Sequence, residues 1–219
     1  MVIAIDGPGG VGKSTVTRRL ATLLGVEFLD TGATYRAATV AALRRDVDLN
    51  SEEEVLVAVQ RSEIAYRNGV ILLDGQSAAD ATRSEAVTQA VSAVSAFPSV
   101  REHIVDMQRN WVTSRGGSAV VEGRDIGTVV FPEAPVKVFL TADSTVRAAR
   151  RAGDEEAANL EVSDIVADLN RRDHADSTRK TSPLRPADDA ITIDTTEMPI
   201  EDVVSAVLDL VARHIETRS

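Results

Sequence analysis

Residues Gly7-Pro8-Gly9-Gly10-Val11-Gly12-Lys13-Ser14 carry four glycines, a lysine and a hydroxyl in the order G-x-x-x-x-G-K-[ST], and Thr15 follows. Glycines let a backbone wrap so that successive N–H groups converge on phosphate oxygens. Lys13 adds charge toward β- and γ-phosphates, and the Ser14 hydroxyl suits Mg²⁺. A glycine-rich turn that merely joins two elements is the alternative. The context argues against it: Val2–Ile5 is a short β-branched run, and Lys13 to about Leu24 follows a helical pattern. The loop therefore sits between strand and helix, where the helix dipole faces an anion. These residues specify a nucleoside triphosphate with Mg²⁺ and leave the destination of the phosphate open.

The elements around the loop alternate. Gly25 fits a helix C-cap, Glu27–Asp30 reads as a strand, and Thr34 to about Arg45 reads as a helix. Residues 61–80 break the pattern. Asn68-Gly69 between two apolar runs is a hairpin signal, and Asp74-Gly75 offers a second turn, so a small antiparallel meander is expected there. A helix over 83–97 follows, and Pro98 suits the first turn of the next, whose stripe is Val100, Ile104, Met107 and Trp111. Ala119–Glu122, Val136–Thr141 and Ala190–Ile193 are further strands. Asp143 caps a helix over 144–152, an acidic loop covers 153–159, a helix covers 161–176, and a last helix carries the stripe from Ile200 to Ile215. The alternation predicts an α/β fold with a parallel central sheet flanked by helices.

Composition narrows the classes. The net charge of the 219 residues is −10, which argues against coating nucleic acid or an anionic membrane. Only Lys13, Lys137 and Lys180 among the 24 basic residues are lysines. The rest are arginines, suited to planar recognition of phosphate. With no cysteine there is no thiolate chemistry, and no apolar run reaches the length of a membrane span. A cytoplasmic protein is expected. A GTPase switch would need Asn-Lys-x-Asp, and Asn170-Arg171-Arg172-Asp173 lacks the lysine and lies within an expected helix.

Further motifs carry a family resemblance. Asp30-Thr31-Gly32-Ala33-Thr34-Tyr35-Arg36 resembles the D-[ST]-G-x-x-Y-R segment of bacterial cytidylate kinases, and Glu122-Gly123-Arg124-Asp125-Ile126-Gly127-Thr128 resembles their D-G-R-D-x-G-T segment. Phe97-Pro98-Ser99-Val100-Arg101 and Arg172…Asp176…Arg179 match in order and spacing. The likeness covers essentially the whole chain. Glu122 departs from it, standing where the family usually has Asp.

The resemblance implies transfer from ATP to CMP or dCMP on an adenylate-kinase-like scaffold. It implies a core of about 1–58, 99–150 and 160–219, an inserted acceptor-nucleotide subdomain of about 59–98, and a lid of about 151–160. Arg36, on a helix start beside the second strand, is a clamp for the acceptor phosphate, and by resemblance Arg124 shares that task. A solvated surface arginine is the alternative for each. Asp125 is the candidate reader of cytosine, because a carboxylate accepts from the exocyclic amine and rejects the uracil carbonyl; a helix N-cap is its alternative. The resemblance places Arg101 and Arg179 around the base, adds hydroxyls from Thr31 and Ser92, and includes Tyr35 and Gly123. Arg172 and Asp176 continue the apolar stripe of Leu169, so they need a partner or a ligand: pairing with each other is one reading, the resemblance implies that they hold the ribose, and the two are compatible. Arg147 and Arg151 are candidates for stabilising the transferring phosphoryl group, against a solvated helix face. Asp30 is a candidate for the metal's water shell, while Asp6 is read as structural. The expected partners are small nucleotides alone, and the expected state is a monomer. Another small P-loop kinase, with UMP or a small metabolite as acceptor, is the competing enzyme reading; a nucleotide-binding regulator is the non-enzyme one.

Overall fold

The computed structural model describes residues 1–153 and 162–217, in two compact units. The lid expected over 151–160 lies mostly outside the described residues. The first unit comprises Met1–Phe28, Gly117–Thr178 and Ser182–Ser219, and the second Leu29–Gly116 with Arg179–Thr181.

A five-stranded sheet has the order β2-β6-β1-β7-β8, from β1 (Val2–Asp6), β2 (Glu27–Asp30), β6 (Ala119–Gly123), β7 (Val136–Thr141) and β8 (Ile191–Asp194). The β1–β6, β1–β7 and β7–β8 ladders are parallel. β1 and β6 are buried along nearly their whole length, as strands inside a parallel sheet are. The main core joins Ile3, Ile5, Val120, Val138 and Leu140 of the sheet to α1 (Lys13–Leu24) and α8 (Ile200–Glu216) through Val16, Leu20, Val203 and Val207. Gly25, at φ 64°, closes α1 as a left-handed cap. Asp143 caps α6 (Ser144–Ala152), accepting from the Thr145 N–H at 2.8 Å. A smaller cluster of Ala148, Ile165 and Leu169 seats α7 (Val162–Thr178) against α6.

In the second unit α2 (Thr31–Arg44) packs with α3 (Glu52–Gln60), α4 (Glu85–Val94) and α5 (Pro98–Thr113) around Tyr35, Ala38, Val55, Val59, Val94 and Ile104. The meander forms as expected: β3 (Ile64–Arg67), β4 (Val70–Leu73) and β5 (Gln76–Ser77) are antiparallel neighbours. Asn68 and Gly69 have φ of 52° and 76°, and Asp74 and Gly75 repeat the pair at 53° and 77°. Both turns thus have the two positive φ values of type I′. Trp111 of α5 donates its indole N–H to the Tyr66 carbonyl at 2.6 Å and ties this sheet to the helices.

Most boundaries fall within two residues of expectation, and two helices differ by three at one end. α2 begins three residues early because Asp30 supplies the cap, accepting from the Ala33 N–H at 3.0 Å. The helix expected over 83–97 covers only Glu85–Val94: Ser84 caps its start, and Phe97 must be extended ahead of Pro98. No helix among the described residues is long and apolar enough to cross a membrane.

Candidate active site

The phosphate loop is built by close packing. A Cβ on Gly7, at φ 149°, would lie 2.2 Å from the Leu140 carbonyl oxygen of the neighbouring strand, so only glycine fits. Gly10, at φ 78°, lets the loop pass the Arg147 backbone, whose carbonyl oxygen would be 2.8 Å from an added Cβ. Lys13 turns back over the loop and donates to the carbonyls of Gly7 and Pro8 at 2.8 and 2.7 Å. Its ammonium charge is thereby held at the loop mouth. Burial, together with the nearby Arg124 guanidinium, lowers its pKa from 10.5 to about 7. Glu122, Asp173 and Asp6 oppose that shift.

Asp6 closes the floor of the site. Its two carboxylate oxygens accept from the N–H groups of Ile126 and Gly127 at 2.8 and 2.7 Å. This fixes the wide helical turn Ile126–Val130 that follows β6. Burial raises the Asp6 pKa to about 6 against those two hydrogen bonds. Asp125 begins the turn and is itself buried; its carbonyl, rather than its side chain, accepts from Val129 and Val130. The Ser14 hydroxyl donates to Glu122 Oε2 at 3.0 Å, so the loop hydroxyl is backed by a buried carboxylate at the end of β6.

Two arginines and two acids complete the loop mouth. Arg124 Nη1 donates to the Gly7 carbonyl at 2.9 Å and pairs with Asp173 at 3.4 Å; its Nε pairs with Asp176 at 3.1 Å. Arg147 Nη1 donates to the Gly9 carbonyl at 3.0 Å and also binds Asp173. Arg147 is buried, so it is no solvated helix face. Asp173 Oδ1 accepts the Gly9 N–H at 3.1 Å. Arg151 is half-buried at the end of α6, and Arg172 lies 4.0 Å from Asp168. Arg150 binds Thr195 through its hydroxyl and carbonyl oxygens and braces α6.

The second unit holds the remaining candidates. Arg36 Nη2 pairs with Asp30 Oδ2 at 3.0 Å, and Asp30 Oδ1 caps α2. Thr31 and Tyr35 are buried on the same helix. The Arg101 guanidinium lies 5.1 Å from the Tyr35 ring centroid and donates to the Ser95 carbonyl at 3.1 Å. Ser92 and Arg179 are half-buried.

Sequence reasoning missed Asp173 and the coupling of Ser14 to Glu122. Asp173 was legible, since it lies four residues beyond Leu169 on the inner stripe of α7, where a charge needs a partner. The Glu122 contact depends on β1 and β6 being neighbours and left no local trace.

A parallel sheet whose first strand feeds a lysine-bearing phosphate loop, with arginines converging on that loop, defines a P-loop kinase fold. A gluconokinase structure from Sinorhizobium meliloti matches it with a TM-score of 0.52 at 15% identity, over 99% of this chain and 94% of that one. The family assignment is finer. The cytidylate kinase family model matches residues 3–213. The chain is 48% identical to a cytidylate kinase of Mycobacterium leprae over 96% of this chain and 95% of that protein. It is 46% identical to one of Rhodococcus opacus over 97% and 95%. The chain belongs to the cytidylate kinase family.

Proposed function

We propose that this protein transfers the γ-phosphoryl group of ATP to CMP or dCMP, giving ADP and CDP or dCDP. The observation that carries the reading is the convergence of Lys13, Arg124 and Arg147 on one glycine loop at the end of β1, on a chain of this family. Gly7 to Thr15 hold the donor triphosphate through backbone N–H groups and Lys13.

An oxygen of the acceptor's phosphate attacks the γ-phosphorus while the bond to the β–γ bridging oxygen breaks, and ADP leaves. That acceptor oxygen is already ionised, so no side chain has to remove a proton. The work of the protein is positioning and charge neutralisation. Lys13, Arg124, Arg147 and Arg151 are assigned to the phosphoryl oxygens.

For the acceptor nucleotide we assign Gly123, Arg124, Asp125, Arg172 and Asp176, together with Thr31, Tyr35, Arg36, Ser92, Arg101 and Arg179. Asp30 holds Arg36 in orientation, and Asp125 reads the exocyclic amine of cytosine. Leaving that buried carboxylate opposite a uracil carbonyl leaves polar atoms unmatched, and this is the source of discrimination. The segment of about 59–98 is read as the acceptor-nucleotide part of the chain.

Mg²⁺ fits the donors present. Ser14 Oγ and Glu122 Oε2 form a hard oxygen pair 3.0 Å apart at the loop. Among the described residues no group of three or more His, Asp or Glu could hold a metal alone, so Ser14 would hold the ion together with phosphates and water. The ion supplies charge neutralisation of the triphosphate. Asp30 is already engaged as a helix cap and by Arg36, which makes Glu122 the better carboxylate behind Ser14. The protein is read as a cytoplasmic monomer acting on free nucleotides.

The test is a coupled ADP-release assay with CMP, dCMP, UMP and AMP. Stimulation by CMP or dCMP well above the no-acceptor background is expected. Stimulation by UMP or AMP alone favours another small P-loop kinase, and no stimulation by any acceptor favours a regulator.

A further inference from the structure

Asp173 lies against the phosphate loop. One carboxylate accepts the Gly9 N–H and engages Arg124 and Arg147, three of the donors that converge at the loop mouth and would serve a phosphate group. The placement is held from behind. Leu169, one turn earlier on α7, is buried against the loop so closely that a Cβ on Gly9 would come within 2.9 Å of it. The carboxylate resembles a phosphate in sign and in presenting paired oxygens to guanidinium groups. It cannot remain beside a bound phosphate, because two anions would then compete for the same donors and repel each other.

We propose that Asp173 is an internal stand-in for phosphate. It holds the Gly9 amide, Arg124 and Arg147 together while the loop is empty, and the donor triphosphate must displace it to bind. This rests on reading Gly7–Ser14 as the triphosphate loop. Two opposing effects follow from the geometry. The free chain gains stability from a carboxylate that neutralises two clustered arginines. Triphosphate affinity is lowered by the same contacts, since a binding-competent loop is one from which Asp173 has withdrawn.

The experiment is calorimetric titration of the unsubstituted chain and Asp173→Asn with ATP and with inorganic tripolyphosphate, without acceptor. Asp173→Asn keeps the shape and removes the charge. Its Kd is expected to fall about tenfold for both ligands, the scale of one charge-assisted hydrogen bond. Its melting temperature without ligand is expected to fall. An unchanged or raised Kd for the folded variant overturns the proposal and leaves Asp173 as an ordinary structural acid. Asp173→Ser serves as a second variant if the first fails to fold. Independently of either, the side-chain carboxyl ¹³C resonance of Asp173 in the unsubstituted chain should shift when tripolyphosphate is added, and an unmoved resonance overturns the proposal. ATP and tripolyphosphate failing to bind the unsubstituted chain overturns the triphosphate-loop reading itself. Normal ATP binding with no response to Asp173→Asn overturns only this inference.

Discussion

ATP binding should draw a proton onto Lys13. In the free chain burial and the Arg124 guanidinium lower its pKa to about 7, from 10.5. A bound triphosphate places several negative charges against the ammonium and restores the charged form. With a bound pKa near the ordinary lysine value, the uptake is about 0.1 proton at pH 6, about 0.5 at pH 7 and about 0.9 at pH 8. The complex then holds more protons than its separated parts, so affinity falls as pH rises. The association constant should drop about fivefold from pH 7 to 8, approaching tenfold per unit above that. Measurement at pH 8 avoids protonation of the γ-phosphate of free ATP. Titration calorimetry in buffers of different ionisation enthalpy gives the uptake directly. Lys13→Arg, whose guanidinium stays charged, should bring it close to zero. Uptake below about 0.2 proton at pH 8 in the unsubstituted chain, where linkage from a pKa of about 7 demands about 0.9, would refute the account of Lys13.

Other substitutions test other parts of the site. Asp125→Ala should lower the CMP-over-UMP ratio of kcat/KM by at least about tenfold, the scale of one hydrogen bond to a charged group. An unchanged ratio removes Asp125 from base reading. Gly7→Ala puts a methyl 2.2 Å from the Leu140 carbonyl oxygen, so a marked loss of melting temperature and of ATP binding is expected in thermal and calorimetric assays. Trp111→Phe removes the donor to the Tyr66 carbonyl and should cost about 1 kcal/mol, seen as a melting temperature lower by a few degrees.

The parts legible in the sequence are those whose cause is local. A glycine loop between a β-branched run and a helix announces its geometry because glycine alone tolerates the backbone of Gly7 and Gly10. Asn68-Gly69 and Asp74-Gly75 announce their turns for the same reason. Asp143 announces a helix start because its side chain bonds the next turn. α3 escaped notice although Ser51 and three acids open it, because only Val55, Ala58 and Val59 are fully buried in its nine residues and the stripe is short. The pairing of Arg124 with Asp173 and Asp176 was illegible for another reason. They lie 49 and 52 positions away on α7, and only the packing of α6, α7 and the loop brings them together. Motif spacing marks which residues matter, whereas the pairs that hold them ready appear only in three dimensions.

The arginine skew has a cause in this geometry. A cation taken out of water beside another cation holds its proton less tightly, and burial beside Arg124 lowers the Lys13 pKa in this way. An arginine in the same place remains charged, since its pKa lies above 12. A site that gathers several cations on one loop can therefore use lysine once, where its slender ammonium must reach between loop carbonyls, and must use arginine for the rest. Replacing Arg124 with lysine would not preserve charge. Two buried ammonium groups would lower each other's pKa, and above neutral pH one would titrate before the phosphates arrived. The acidic excess of the chain, at −10, stands apart from that requirement. Asp173 and Asp176 show it turned inward, where carboxylates lend these arginines partners and keep them in place.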